Sequence, residues 1–288
     1  MWRLGEGEEG VEMKIISWNV RGLGGVVKRP EVRKLICEKS SFIVCLQETK
    51  VQVIDDYFGA AVWGTSLHSY SFRLAVGVSG GLLIMWDSSA VEVWSSASME
   101  HALIIHGRFL HTNDEFYLFN IYAPCYNGAK QLLWNSLTEH LQQLVEKNIC
   151  LCGDFNAVWN MEERRSKGVA IQSLDCDPFN AFIDNNVLVY LPLHGRNFTW
   201  YKGDGNSMSR IERFLLSEEW CSRWPNCLQV ASLRGLFDHC PMVLSVDEDN
   251  WGPRSVRMLK CWSDIPRYHE FVRSKWQSFK VDGWGATW

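Results

Sequence analysis

The sequence predicts an α/β (α+β) fold in which mainly antiparallel sheets are covered by helices. Three observations carry that expectation. Short runs rich in β-branched and aromatic residues recur along the 288 residues. Stretches with apolar residues at helical spacing lie between them. Strands and helices mix without strict βαβ alternation, which argues against a purely parallel sheet and for one domain.

Taken in order, residues 13–18 form an apolar run ending at Asn19, a buried strand, and Gly22, Gly24 and Gly25 mark the loop after it. Pro30 can open a helix reaching about Lys39, with Val32, Leu35 and Ile36 on one face. Residues 42–46 are a second buried strand, ending at Gln47 and Glu48. From residue 60 to 122 the runs 81–86, 91–94, 102–107 and 115–122 read as an antiparallel meander, with turn residues at 87–89 and 112–114. A helix over 129–145 follows from Leu133, Leu137, Leu141, Leu144 and Val145. Residues 149–152 form another buried strand, ending at Gly153 and Asp154. Residues 175–185 look helical; 198–201, 211–216, 229–233 and 242–246 look like strands. The tail has Pro253 and Pro266, then a helix pattern over 268–280. The expected organisation is an acidic extension at 1–12, one domain at 13–247, and a basic linker and helix at 248–288, a truncated appendage.

Composition narrows the class. Apolar residues make up 47% and charged residues 22%, ordinary for a folded globular chain and too apolar for disorder. No apolar run reaches the ~18 residues that read as a membrane span, and the start lacks a signal-peptide pattern. The ten cysteines show no CxxC pair, so zinc is disfavoured, and Cys45, Cys150 and Cys152 lie inside apolar runs as buried free thiols. That fits the nucleus or cytoplasm rather than secretion. The net charge of −4 does not announce a nucleic-acid binder, but the last 38 residues carry +4 and the rest −8.

One pattern carries chemistry. Apolar strands end, and a residue suited to metal or phosphate work comes next: Asn19, Glu48, Tyr122, Asp154 and Asn156. Strand ends gathered along one sheet edge can place carboxylates and amides around a hard cation. Asp238 and His239, just before the last strand, would join them. Singly, each has a blander reading as a turn, core or surface residue.

Seven blocks occur in a telling order: Ser17-Trp18-Asn19-Val20-Arg21-Gly22, Leu46-Gln47-Glu48-Thr49-Lys50, Asn120-Ile121-Tyr122-Ala123-Pro124, Gly153-Asp154-Phe155-Asn156, Phe198-Thr199-Trp200, Ser209-Arg210-Ile211-Glu212-Arg213 and Asp238-His239-Cys240-Pro241. On these blocks the chain resembles the endonuclease/exonuclease/phosphatase superfamily, and most closely the apurinic-endonuclease-like domain of plant LINE-type retrotransposons. The resemblance implies a four-layer α/β sandwich and Mg²⁺-dependent hydrolysis of a DNA phosphodiester, with Mn²⁺ as an alternative ion. It implies Glu48, Asn19 and Asp238 at the metal, Asp154 as general base, and Asn156, Tyr122 and His239 at the phosphate, with Glu212 behind His239. It also implies a monomer, no membrane, and a parent element supplying a reverse transcriptase absent from this chain.

The chain departs from the family pattern at four places. Glu212 stands where Asp is usual, and its extra methylene is expected to tilt His239. Phe237 replaces a Ser and is expected to add bulk beside the site. Cys125 replaces the Asn of repair enzymes, and Arg21 is basic where they carry an acid, which points to the retroelement branch. Glu212 and Phe237 favour a rival reading, a folded but catalytically impaired remnant that binds nucleic acid. A phosphatase or phospholipase of the same superfamily is the third. Lys28-Arg29 and Arg164-Arg165 read as solvated loop charges, with contact to a DNA backbone as the alternative.

Overall fold

The structure is a computed structural model that describes residues 13–246 except 26, 76–79, 167–175, 204 and 236, together with 268, 270, 273 and 274. The chain divides into two units, Met1–Glu248 and Asp249–Trp288. In the second, Tyr268, Glu270, Arg273 and Ser274 are helical. The remainder of the expected tail helix, the linker and the acidic extension lie outside the described residues.

The first half of the domain runs β1 (Lys14–Asn19), α1 (Lys28–Lys39), β2 (Ile43–Gln47), α2 (Asp56–Trp63), β3 (His68–Arg73) and β4 (Leu82–Asp87). It continues through β5 (Val91–Ser98), β6 (Ala102–Phe109), β7 (Glu115–Tyr122), α3 (Asn127–Leu141) and β8 (Ile149–Asp154). The second half has β9 (Arg164–Arg165), α4 (Cys176–Asn185), β10 (Val189–Tyr190), β11 (Leu193–His194), β12 (Trp200–Tyr201) and β13 (Met208–Ser209). It closes with β14 (Glu212–Leu216), α5 (Glu218–Arg223), β15 (Cys227–Ala231) and β16 (Met242–Val246).

Two large sheets form. Seven strands pair in the order β11-β15-β16-β1-β2-β4-β3, and six in the order β10-β14-β8-β7-β6-β5. Most pairings are antiparallel, but β1–β2, β7–β8 and β11–β15 are parallel, and the first two of these are each joined through one helix. The pleat then makes four layers. Ile15, Cys45 and Ile84 alternate inward against Leu103, Leu118 and Cys152 of the other sheet. Their neighbours Ile16, Val44 and Leu83 face outward onto Val32 and Ile36 of α1 and Phe58 and Val62 of α2. On the far side, Phe119, Ile121 and Leu151 pack on Leu133, Trp134 and Leu137 of α3 and Phe179 and Phe182 of α4. Strands covered on both faces lose the polar alternation of a half-exposed sheet and read as continuous apolar runs. The sandwich expected from the resemblance is what the chain forms.

Local readings differ in places. Helix α2 was not expected; Asp55 caps it by accepting from the Phe58 N–H at 2.7 Å, and Gly64 ends it at φ 115°. Eight residues are too few to show a clear period. The meander is also split: β3 and β4 belong to the seven-stranded sheet, and β5 begins the other. Alternation reports which side of a strand is apolar, not which sheet the strand joins. The Cys45, Cys150 and Cys152 thiols are free and buried, as expected.

Candidate active site

The parallel pairs β1–β2 and β7–β8 bring the chemistry to one edge. Parallel neighbours end on the same side, so Asn19 lies beside Gln47, and Tyr122 beside Asp154. Antiparallel β14 enters where β8 leaves, which sets Glu212 directly opposite Asp154. Strand β16 starts beside the end of β1, so the loop before it delivers Asp238 and His239 to the same edge. The two sheets are tied together just behind. Asn120 of β7 donates to the Leu46 and Leu83 carbonyls, both at 3.1 Å, and accepts from Gln47 Nε2 at 2.7 Å.

Backbone strain concentrates at the strand exits. Among the described residues eight non-glycines have positive φ, and four of them, Arg21, Glu48, Lys50 and Asn156, sit at these exits. Such conformations persist where surrounding structure over-determines them. Gly153 has φ 137°, and a Cβ there would lie 1.9 Å from the Ile121 carbonyl oxygen, so only glycine lets β8 close against β7 just before Asp154.

The side chains form one connected network. Asn19 is fully buried and donates from Nδ2 to Glu48 Oε1 at 3.1 Å and to Asp154 Oδ2 at 2.9 Å. Its Oδ1 accepts from the Arg21 N–H at 3.1 Å, so Asn19 bridges the two carboxylates through its nitrogen. Asp154 also accepts from the Asn156 N–H at 2.9 Å. Asn156 gives one amide hydrogen to the Ala123 carbonyl at 2.7 Å, which leaves it a second. Tyr122 hydrogen-bonds Glu48. Glu212 bonds His239 Nδ1, and its extra methylene does not stop it reaching the ring. Thr199 Oγ1 accepts from the Glu212 N–H at 3.2 Å, and the Thr199 carbonyl accepts from the Cys240 N–H at 2.7 Å, which holds the pair together from behind. His239 Nε2 is directed toward Asp238, 3.9 Å from Oδ1.

Electrostatics separate the acids. Burial, then the charge of Glu212, raises Asp154 to about 7 against the pull of His239, Asn19 and Asn156. Burial pulls the His239 imidazole down, but Glu212, Asp154 and Asp238 outweigh it and leave it raised to about 9. Burial also opposes ionisation of Glu48. There the hydrogen bonds from Asn19 and Tyr122 and the charges of Lys50 and Arg21 win, and its pKa lies below the ordinary carboxylate range. Burial and the Glu48 charge push the Tyr122 hydroxyl well up, so it stays a donor. The edge thus offers a carboxylate near neutrality beside an imidazolium, a general base and a charge-assisted donor.

A cleft of about 430 Å³ lies above this network, reached by Glu48, Tyr122, Asp154, Asn156 and His239. Its opposite wall is a small sheet, β12-β13-β9. Arg164, Arg165, Trp200 and Lys202 line it there, so the Arg164-Arg165 pair is part of the cleft rather than a solvated loop. Glu163 anchors that wall. Its buried carboxylate accepts from the Trp159 N–H at 2.7 Å, Tyr190 Oη at 2.5 Å and Arg213 Nη2 at 3.1 Å. Sequence reasoning missed Glu163; the signal was an acid directly before two arginines. Lys28 and Arg29 instead donate to the backbone carbonyls of Val20, Arg21 and Leu23. Phe237 does not crowd the cleft: it is buried in the core, 4.3 Å between ring centroids from Trp18, so the expected bulk beside the site is absent.

Two groups of donors bear on a metal. Among the described residues, Asp154, Glu212 and His239 have ligand atoms within 4.8 Å of one another. Nδ1 of His239 is already bonded to Glu212, and a protonated imidazole is no ligand, so that cluster reads first as a proton-holding unit. At the cleft mouth, Glu48 and Asp238 converge on the Arg21 guanidinium, an ion pair with Asp238 and a 3.8 Å approach to Glu48. Oxygen donors that already gather positive charge fit a hard divalent cation.

Comparison with known proteins agrees with this architecture. Residues 16–232 match the Endonuclease/Exonuclease/phosphatase family. An exodeoxyribonuclease of Bacillus subtilis is 25% identical over 268 residues, 82% of this chain and all of that protein. The AP endonuclease LMAP from Leishmania major superposes with a TM-score of 0.64 at 17% identity, covering 82% of this chain and 87% of that one. The endonuclease domain of TRAS1, a telomere-specific non-LTR retrotransposon, gives 0.62 at 12% identity, covering 82% and 98%.

Proposed function

The chain belongs to the endonuclease/exonuclease/phosphatase family, and from that premise we propose that it is a metal-dependent nuclease that nicks DNA. The observation that carries the reading is the placing of Asp154 beside the Glu212–His239 unit under a cleft whose far wall is basic. Asp154, raised to about 7, takes a proton from water. The water oxygen bonds to phosphorus, and the bond from phosphorus to the 3′ oxygen breaks. The leaving 3′ oxygen takes a proton from solvent, so the products are a 3′-hydroxyl and a 5′-phosphate. His239 Nε2 and the second amide hydrogen of Asn156 hold the oxygens on which charge grows. Tyr122 holds Glu48, and its hydroxyl reaches a phosphate oxygen only by leaving that carboxylate. Glu48 and Asp238 would hold Mg²⁺, or Mn²⁺ in its place, with Asn19 setting the orientation of Glu48. The ion supplies Lewis-acid stabilisation of the phosphate charge.

The retrotransposon reading, of plant LINE type, draws on Arg21 and Cys125 and on the likeness to the TRAS1 domain. In it the domain spans 13–247, the compartment is the nucleus or cytoplasm, the protein is a monomer, and the 3′-hydroxyl primes reverse transcription by a domain of the parent element. Two observations speak against the impaired-remnant reading: Glu212 reaches His239, and Phe237 packs in the core. Nicking of supercoiled plasmid tests the proposal. Relaxed circles with Mg²⁺ but not EDTA, and not from Asp154→Ala, are expected. Hydrolysis of a small phosphate ester with intact plasmid would point instead to a phosphatase.

A further inference from the structure

Arg21 stands where the chemistry leaves no obvious place for a cation of the chain's own. It leaves β1 in a left-handed turn, φ 42°, with its N–H on Asn19 Oδ1. Lys28 Nζ binds the Val20 and Arg21 carbonyls at 2.8 and 3.0 Å and fixes the backbone of that turn. The side chain reaches back over the site, pairs with Asp238 and brings Nε to 3.8 Å from Glu48 Oε1. These two carboxylates come from loops 190 residues apart, and the guanidinium joins them. The Arg21 side chain is 48% exposed, so its head is held by these two carboxylates rather than sealed in the core. Its backbone is anchored by Asn19 and Lys28, while its half-exposed head is held only by charge.

We propose that Arg21 is a built-in counter-cation that occupies the space between Glu48 and Asp238 and competes with a divalent metal for it. The inference rests on the reading of those two carboxylates as the metal-holding pair. A guanidinium and a dication cannot share that space without strong repulsion. Metal loading therefore requires Arg21 to swing out. Phosphate oxygens in the cleft would receive its planar fork of donors as it leaves. Metal and a phosphate backbone would then load each other, a positive coupling between two ligands. Lys50, 3.4 Å from Glu48 alone, is the natural control, because it touches one carboxylate and does not bridge.

The test is Mn²⁺ binding to the full chain, by calorimetry and by loss of the free-ion paramagnetic resonance signal, for wild type, Arg21→Met, Arg21→Lys, Lys50→Met and Glu48→Gln. Arg21→Met should bind Mn²⁺ about tenfold tighter, ~1.4 kcal/mol. Arg21→Lys should stay near wild type and Lys50→Met should shift less. Equal or weaker binding by Arg21→Met, or an equal gain from Lys50→Met, overturns the proposal. If Glu48→Gln abolishes binding while Arg21→Met changes nothing, only this inference fails. If no variant binds Mn²⁺, the metal-site reading fails with it.

Discussion

The two halves of the active edge are built alike and behave oppositely. Each comes from a parallel strand pair joined through a helix, and each ends in a carboxylate: Glu48 just after β2, Asp154 as the last residue of β8. Asn19 donates to both. Glu48 meets Lys50 and Arg21 and ionises easily. Asp154 is sealed beside Glu212 and is held near neutrality. The lesson is that position on the fold does not assign a carboxylate's role; burial and the sign of the nearest charge do. One end suits a cation and the other a base.

Asp154 carries the proton transfer, so its loss should weigh most. Asp154→Asn should cut the plasmid-nicking rate by about 10³-fold with the fold intact, within the range general bases supply; a loss under tenfold would move the base elsewhere. Next comes the core beneath the site. Phe237→Ser restores the family's residue but empties a buried ring position, so it should cost ~3 kcal/mol in urea unfolding and leave nicking no faster. A stable, faster Phe237→Ser would revive the idea that this residue impairs the enzyme.

Glu212→Gln sharpens the sealed half. Without that charge His239 should fall from about 9 toward its ordinary 6.5, and nicking at pH 8 should drop about tenfold while recovering at lower pH. An unchanged alkaline limb would separate Glu212 from the imidazole. The smallest effect is the wild-type profile itself: activity should rise with pH through about 7 as Asp154 ionises and fall through about 9 as His239 loses its proton. Stability follows the same groups. The His239 pairing contributes fully below pH 6.5 and is lost as pH rises through about 9. Asp154 moves against the usual carboxylate direction: its burial costs nothing below 3.8 and costs most above about 7. Unfolding midpoints measured from pH 6 to 10 should therefore decline, and a rising midpoint would contradict both shifts.

Much of this was legible in the order of residues. The buried strands announced themselves as apolar runs because both faces are covered, and the polar residue ending each run marked the edge. Helix α3 was legible too, although it stops at Leu141 where the apolar spacing suggested Val145. Less could be read where elements are short or pairing is distant. Helix α2, the split of the meander between sheets, and the β9 arginines all depend on neighbours far along the chain. The same holds for Phe237, whose place beside Asp238 suggested the cleft and whose ring turns into the core.

The order of residues sets the chemistry available: which carboxylates, amides and imidazole exist, and that each stands beside a strand end. That is local information, carried by apolar periodicity and by the turn residues that end it. What each group became depends on packing between distant parts of the chain. Register set Glu212 opposite Asp154, the close packing of sheets took water away from both, and a turn at Arg21 carried a positive charge onto Glu48 and Asp238. Proton affinity and metal affinity depend on what lies within a few ångströms, and that neighbourhood is assembled from residues the chain keeps far apart.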